Sequence, residues 1–219
     1  MTTIIYRAGK LYTDSRMTTY TDGTQFNDIK KMYEPELMYI GNRKVLCLAV
    51  SGHTALLKYL KLMDAELVKI QHNADIMTPE FMAPIQGVLK EGCNIIAVTA
   101  SRVFGITVTQ EKVEIVYEEK PPRAIVVAGS GKDVPGVFET AQSISAELAM
   151  AEAIAGDPYS GGPVNVWTYG KKGLRTLEVK TANKFDRWMT KKLAGFVFAR
   201  EMVSLVQARI KVYPKEQFV

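Results

Sequence analysis

The stretch that most constrains this chain is a nearly unbroken apolar run, Val45-Leu46-Cys47-Leu48-Ala49-Val50, closed by Ser51-Gly52. Successive side chains of a strand point to opposite sides, so a strand with one wet face alternates apolar and polar residues. A continuous run instead needs both faces covered, and the chain must supply a layer on each side of this strand. The period changes directly after Gly52. Leu56, Leu57, Leu60, Met63, Leu67, Val68 and Ile70 recur at helical spacing, and Thr78-Pro79-Glu80 predicts the start of a second helix running to about Lys90.

The remaining segments predict strands and further helices. Ile4 to Tyr6 and Leu11 to Thr13 flank the turn Ala8-Gly9-Lys10 as a hairpin, and residues 17–28 read as a loop. Glu36 to Ile40 and Lys44 to Val50 are strands around Gly41-Asn42. Asn94 to Ala100, Val103 to Thr109, Lys112 to Tyr117 and Arg123 to Ala128 are rich in Val and Ile and form a second antiparallel set. An Ala-rich helical region spans about Val134 to Ala155. A hairpin of Pro163 to Gly170 with Leu174 to Lys180 follows, and an amphipathic helix over about Phe185 to Ile210 closes the chain. No regular βαβ alternation is present. The expected class is α+β, a four-layer α/β/β/α sandwich in which two sheets faced by helices bury every apolar face. The 219 residues, 47% of them hydrophobic, are enough for one well-buried domain over 1–219, with a basic helical tail at about 185–219.

Composition removes several classes of function. No run reaches the roughly 18 to 20 apolar residues that span a bilayer, and the first residues lack the regions of a signal peptide, so a cytoplasmic chain without membrane contact is expected. The net charge of +5 is spread along the sequence with no basic cluster interleaved with aromatics, which argues against nucleic acid. Cys47 and Cys93 each sit in an apolar run and read as reduced core residues, and two histidines, His53 and His72, cannot build a metal cluster. Phe185, Trp188, Met189, Phe196, Phe198 and Met202 read as core or subunit-interface positions.

The chemistry begins at Thr2. Removal of Met1 would leave a hydroxyl and a free α-amine on one residue, a nucleophile with its own base, because an α-amine of pKa about 7.7–8.0 is partly neutral near pH 7–8. A Thr after Met is by itself an ordinary polar terminus. Here it is followed in order by Thr13-Asp14-Ser15-Arg16, a lysine at Lys30 or Lys31, Ser51-Gly52 between strand and helix, Gly129-Ser130-Gly131 at a strand-to-helix junction, and Asp157-Pro158-Tyr159-Ser160-Gly161-Gly162. Taken singly, Asp14 and a lysine would be a surface pair, Ser51-Gly52 a helix-entry turn, Ser130 a helix cap and Asp157 to Gly162 a turn.

The ordered set resembles the proteasome-type threonine peptidases of the N-terminal nucleophile hydrolase family, over Thr2 to about Lys180. The resemblance implies Thr2 as nucleophile, Asp14 as the acidic partner of an active-site lysine, and Lys31 as that lysine because Met32 follows it, with Lys30 as the alternative. It implies Gly52 as the oxyanion donor, and Ser130, Asp157 and Ser160 as groups that orient the amine and pass its proton. It implies that Thr18 binds the substrate backbone and Val50 shapes a medium-sized apolar pocket. His53 has no role in it. Peptide or unfolded-protein substrates, no cofactor and no metal, a homo-oligomeric ring and a separate ATPase unfoldase are further implications. Rival expectations are a noncatalytic ring or scaffold subunit that keeps Met1, a small-molecule amidohydrolase using the same threonine, and a basic nucleic-acid-binding module.

Overall fold

The computed structural model describes residues 2–19, 22–89, 91–178 and 213–214. The helix expected over Phe185 to Ile210, with the aromatic and Met positions assigned to it and most of the basic tail, lies outside the described residues.

Strands β1 (Thr3–Arg7) and β2 (Lys10–Thr13) form the expected hairpin. Ala8 and Gly9 between them both have positive φ, 48° and 77°, the two-residue turn whose twist matches that of a strand pair. The expected loop after it contains a small ribbon of β3 (Met17–Thr18) and β4 (Gln25–Phe26). A short strand that the sequence pattern does not announce, β5 (Met32–Tyr33), pairs antiparallel with Leu48 and Ala49 of the apolar run. Strands β6 (Met38–Ile40) and β7 (Arg43–Ser51) flank Gly41. β6 begins later than Glu36 because the N–H groups of Glu36 and Leu37 are taken by the carboxylate of Asp64.

Helix α1 (Thr54–Ile70) buries Leu56, Leu57, Leu60 and Leu67, and the His53 side chain caps it by accepting from the Ala55 N–H at 3.1 Å. After β8 (Ala74–Asp75), helix α2 (Pro79–Gln86) starts at Thr78, whose hydroxyl accepts from the Phe81 N–H. It stops at Gln86, with Gly87 as its C-terminal cap, short of the expected Lys90. Strands β9 (Cys93–Thr99), β10 (Val103–Val108) and β11 (Val113–Glu119) form an antiparallel meander.

The next strand, β12 (Ile125–Gly129), does not continue this meander as expected. It crosses to the other sheet and pairs with β1, Thr3 opposite Gly129 and Arg7 opposite Ile125. The single helical region expected over Val134 to Ala155 is also divided. A 3₁₀ turn (Ser130–Asp133) leads to α3 (Val137–Ser143), and after a break at Ile144 the Ser145 hydroxyl caps α4 (Ala146–Gly156) by accepting from the Leu148 N–H. The expected hairpin of β13 (Val164–Thr168) and β14 (Arg175–Glu178) follows, and β15 (Tyr213–Pro214) pairs with β14.

The fold is α+β. Among the described residues one sheet has the order β12-β1-β2-β13-β14-β15, and the other β11-β10-β9-β7-β6-β8 with β5 also on β7. β6 and β7, before α1, and β9 to β11, after it, therefore share a sheet, contrary to the division expected from chain order, because β7 pairs with β9. Both faces of β7 are covered, as its apolar run requires. Val45, Leu48 and Val50 pack in one core with Leu56 and Leu60 of α1 and Phe81 of α2, while Cys47 and Ala49 pack with Ile4, Tyr6 and Trp167 of the other sheet. A third core joins Ile5, Tyr12 and Val166 to Ala149, Met150 and Ala153 of α4. No helix among the described residues is long and apolar enough to cross a membrane.

Antiparallel pairing gathers particular strand ends. The start of β1 lies beside the ends of β2 and β12, and the end of β7 lies beside the start of β9. The two sheets meet at this edge, where a Cβ built on Gly129 would stand 3.4 Å from that of Ser51. Leu60→Ala on the buried face of α1 should cost about 2–5 kcal/mol, whereas Leu62→Ala, at a position 67% exposed, should stay within about 0.5 kcal/mol. Urea unfolding of both variants checks which face of the helix supports the sheet.

Candidate active site

Asp14 follows β2 and is fully buried, as is nearly all of Lys31, which precedes β5. The Lys31 ammonium donates to Asp14 Oδ1 at 3.0 Å. The same oxygen accepts from the Thr3 N–H at 2.9 Å, and Oδ2 accepts from the N–H groups of Arg16 at 3.1 Å and Gly161 at 3.0 Å. Burying an ion pair costs several kcal/mol per charge unless the remaining lone pairs find donors, and here they do. Burial pulls the Lys31 ammonium below the ordinary lysine range, with Asp14 opposing that shift. Lys30 is exposed, so of the two lysines the structure pairs Lys31 with Asp14.

Thr2 is 3% exposed and stands between two cavities. The larger, of about 280 Å³, includes Thr18, Lys31, Val50, Gly52 and His53 in its wall. The smaller, of about 200 Å³, includes Ser51, Gly52, Asn94, Ser130 and Lys132. Thr2 and Gly52 belong to both. Glycine is required at the two backbone positions that close around Thr2. Gly52 has φ +100°, and a Cβ there would sit 2.9 Å from the Cys93 sulfur; Gly129 has φ +84°, and a Cβ there would sit 1.7 Å from the Thr2 carbonyl oxygen.

A chain of hydroxyls meets the smaller cavity. Ser130 Oγ donates to Asp157 Oδ2 at 2.5 Å, Ser160 Oγ donates to the same oxygen at 2.6 Å, and the Tyr159 N–H donates to Oδ1 at 3.0 Å. Ser160 Oγ and Thr3 Oγ1 are 2.6 Å apart. Since Ser160 has one proton and spends it on Asp157, Thr3 must be the donor to Ser160. Ser130 is thus not the helix cap that an isolated serine suggests. Asp157 to Gly162 is more than a turn as well: the Arg16 guanidinium donates to the Pro158 carbonyl and to Asn27, and the Gly161 carbonyl accepts from the N–H groups of Ser15 and Arg16.

All the residues singled out from the sequence are therefore drawn to one edge of the sheets: Thr2, Asp14, Thr18, Lys31, Val50, Gly52, Ser130, Asp157 and Ser160. Sequence reasoning missed Thr3, Arg16 and Ser51. Thr3 had a signal, since a polar residue within an otherwise apolar, fully buried strand start must find a partner. Arg16 and Ser51 are brought in by pairing between distant segments. The hydroxyls of Thr18 and Ser51 are buried without a hydrogen-bond partner among the described residues, one at each cavity. Cys93 accepts from the His53 N–H at 3.1 Å, and burial pushes its thiol above the ordinary range. No family model matches the chain, and a comparison with curated proteins finds no match.

Replacing Asp14 by Ala would leave the Lys31 ammonium buried beside three N–H donors. The expected cost is about 3–5 kcal/mol of folding stability, read from denaturant unfolding, whereas removing the exposed Lys112–Glu114 pair should leave the unfolding midpoint essentially unchanged.

Proposed function

We propose that this chain is a threonine peptidase of proteasome type, with the four-layer α/β/β/α sandwich of the N-terminal nucleophile hydrolases, and that it becomes active when Met1 is removed. With Met1 attached, the Thr2 nitrogen is an amide and cannot act as a base. The observation that carries the reading is the convergence on Thr2 of a buried Asp14–Lys31 pair and a Ser130–Asp157–Ser160 cluster from segments far apart in the chain.

The scissile carbonyl sits at Gly52, whose N–H receives the oxyanion. The Thr2 α-amine takes the hydroxyl proton, directly or through one water, as Oγ bonds to the carbonyl carbon. The Lys31 ammonium, in the wall of the same cavity, lowers the cost of the alkoxide and discourages prior protonation of the amine. Collapse of the tetrahedral adduct breaks the C–N bond while the proton passes from the Thr2 ammonium to the leaving nitrogen. An ester on Thr2 remains. Water then adds to it with the amine again as base, releasing the acid and restoring the hydroxyl. The leaving nitrogen needs that proton, and Ser130 lines the smaller cavity, so the amine-side half of the substrate belongs there. The acyl-side half then fills the larger cavity, with Val50 in its wall and the unpartnered Thr18 hydroxyl free for the substrate main chain. Rings enclosing these sites in the cytoplasm, supplied by a separate ATPase unfoldase, belong to the same proposal.

Intact mass of protein from its native host should show loss of Met1. That protein should cleave short peptides with an apolar residue before the scissile bond. Thr2→Ala should lower kcat/KM by at least roughly 10³-fold with assembly unchanged, and activity should rise with pH as the amine loses its proton, with a midpoint below the ordinary α-amine range of about 7.7–8.0 because the Lys31 ammonium disfavours the protonated form. Equal activity in the two proteins would remove Thr2 from the mechanism.

A further inference from the structure

The smaller cavity at Thr2 does not end there. A groove of about 400 Å³ shares Asn94, Gly129 and Lys132 with it and continues between β11 and β12. The smaller cavity is the polar end and includes the unpartnered Ser51 hydroxyl, in a residue only 2% exposed, and the shared Asn94 and Lys132 lead from it into the groove. Beyond it the walls turn apolar, with Ile96, Ile106, Val116, Val127 and Phe138; Val116 is 61% and Phe138 46% exposed. β12 pairs with β1 on one side and with no other strand among the described residues, which leaves an edge open to an extended chain. At the far end the Ile125 N–H donates to the Tyr117 hydroxyl at 3.3 Å and ties β12 to β11. From Gly129 to Ile125, at ~3.3 Å per residue, the groove accommodates about four residues of extended peptide.

We propose that this groove receives the amine-side half of an extended polypeptide substrate, a short polar residue beside Thr2 and then about four residues along β12 with apolar side chains among them. The inference rests on the threonine-peptidase reading and narrows its substrate class to unfolded polypeptide rather than small amides. Continuity decides the occupant: the apolar groove opens from the nucleophile's own cavity through three shared residues, so a chain cut at Thr2 has its leaving half directed into it. A small amide would use none of this surface.

The test uses protein with a free Thr2 amine and quenched fluorescent peptides that share one acyl-side sequence. Their amine-side segments have one residue, five residues with Leu and Phe at the outer positions, or five with Ser and Asp there. kcat/KM should rise at least about tenfold from the one-residue segment to the apolar five-residue segment, and the polar version should gain little. Val116→Glu should abolish the gain and leave the one-residue substrate within about twofold. Equal rates for all three peptides, or equal slowing of long and short substrates by Val116→Glu, would overturn the groove while leaving the peptidase reading standing. A change of sedimentation with Val116→Glu at unchanged length dependence would assign the face to contact between copies and also overturn it. If no peptide is cut, the peptidase reading falls. Fluorescence anisotropy of the labelled five-residue apolar segment then decides the groove separately: binding that Val116→Glu removes supports it, and no binding ends it.

Discussion

The Asp14 carboxylate is fully buried, and three distant chain segments are fastened to it, with its own loop held through Arg16. Its two oxygens accept from Thr3 at the start of β1, Arg16 after β2, Lys31 before β5 and Gly161 in the loop before β13. An unpaired carboxylate in this position would be expelled or protonated, so the fold can bury Asp14 only with all four donors in place. That requirement works in reverse as well. Because three of the donors come from segments distant from Asp14, satisfying one carboxylate fixes the relative positions of the strand that Thr2 precedes, the Lys31 segment and the loop that carries Asp157 and Ser160.

The three apolar cores supply the rigidity that such a polar cluster needs. The strand ends that bear the site emerge from the core between the sheets, where Ile4, Ala49 and Val98 are buried completely. A residue one position beyond a packed strand has little freedom, which is how Thr2, just before β1, and Gly52, just after β7, come to lie beside the same cavities. Main chain approaches main chain there more closely than any Cβ would permit at Gly129. Position is thus set by packing, and charge compensation by hydrogen bonds, with neither sufficient alone.

What could be seen in the sequence was local. The both-faces burial of β7, the period of α1 and the Ala8-Gly9 turn each follow from a few neighbouring residues. Partnership between distant segments could not be seen: β12 reads like the strands before it, and only its pairing with β1 moves it to the other sheet. The break at Ile144–Ser145 lies within an otherwise Ala- and Glu-rich stretch, and its signal is Ser145 itself, a poor helix-interior residue that carries the cap starting α4. At the site, the resemblance carried by the ordered motifs pointed to Thr2, Asp14, Gly52, Ser130, Asp157 and Ser160 and favoured Lys31 because Met32 follows it, without closing off Lys30. Burial did that, since one side chain meets Asp14 and the other is exposed. Thr3 went unassigned because its partner, Ser160, is 157 residues away.

The direction of the hydroxyl chain has a consequence for the proposed chemistry. Asp157 receives the protons of both Ser130 and Ser160 on one oxygen, and Thr3 donates to Ser160. Ser130 therefore offers only lone pairs to anything on its other side, and its oxygen behaves as an acceptor whose electron density is raised by the carboxylate behind it. An acceptor suits an ammonium. In the proposed mechanism the Thr2 amine, on taking the hydroxyl proton, would gain positive charge beside the cavity that Ser130 lines, while the alkoxide's negative charge would develop in the cavity that Lys31 lines. The two carboxylates then have different tasks set by their partners. Asp14 is neutralised by a lysine and three N–H groups and stays a fixed counter-charge. Asp157 has two hydroxyls and one N–H but no ammonium among its hydrogen-bond donors in the described residues, so in the proposed reaction its charge would act through Ser130 on the nitrogen that carries the proton between attack and leaving-group departure.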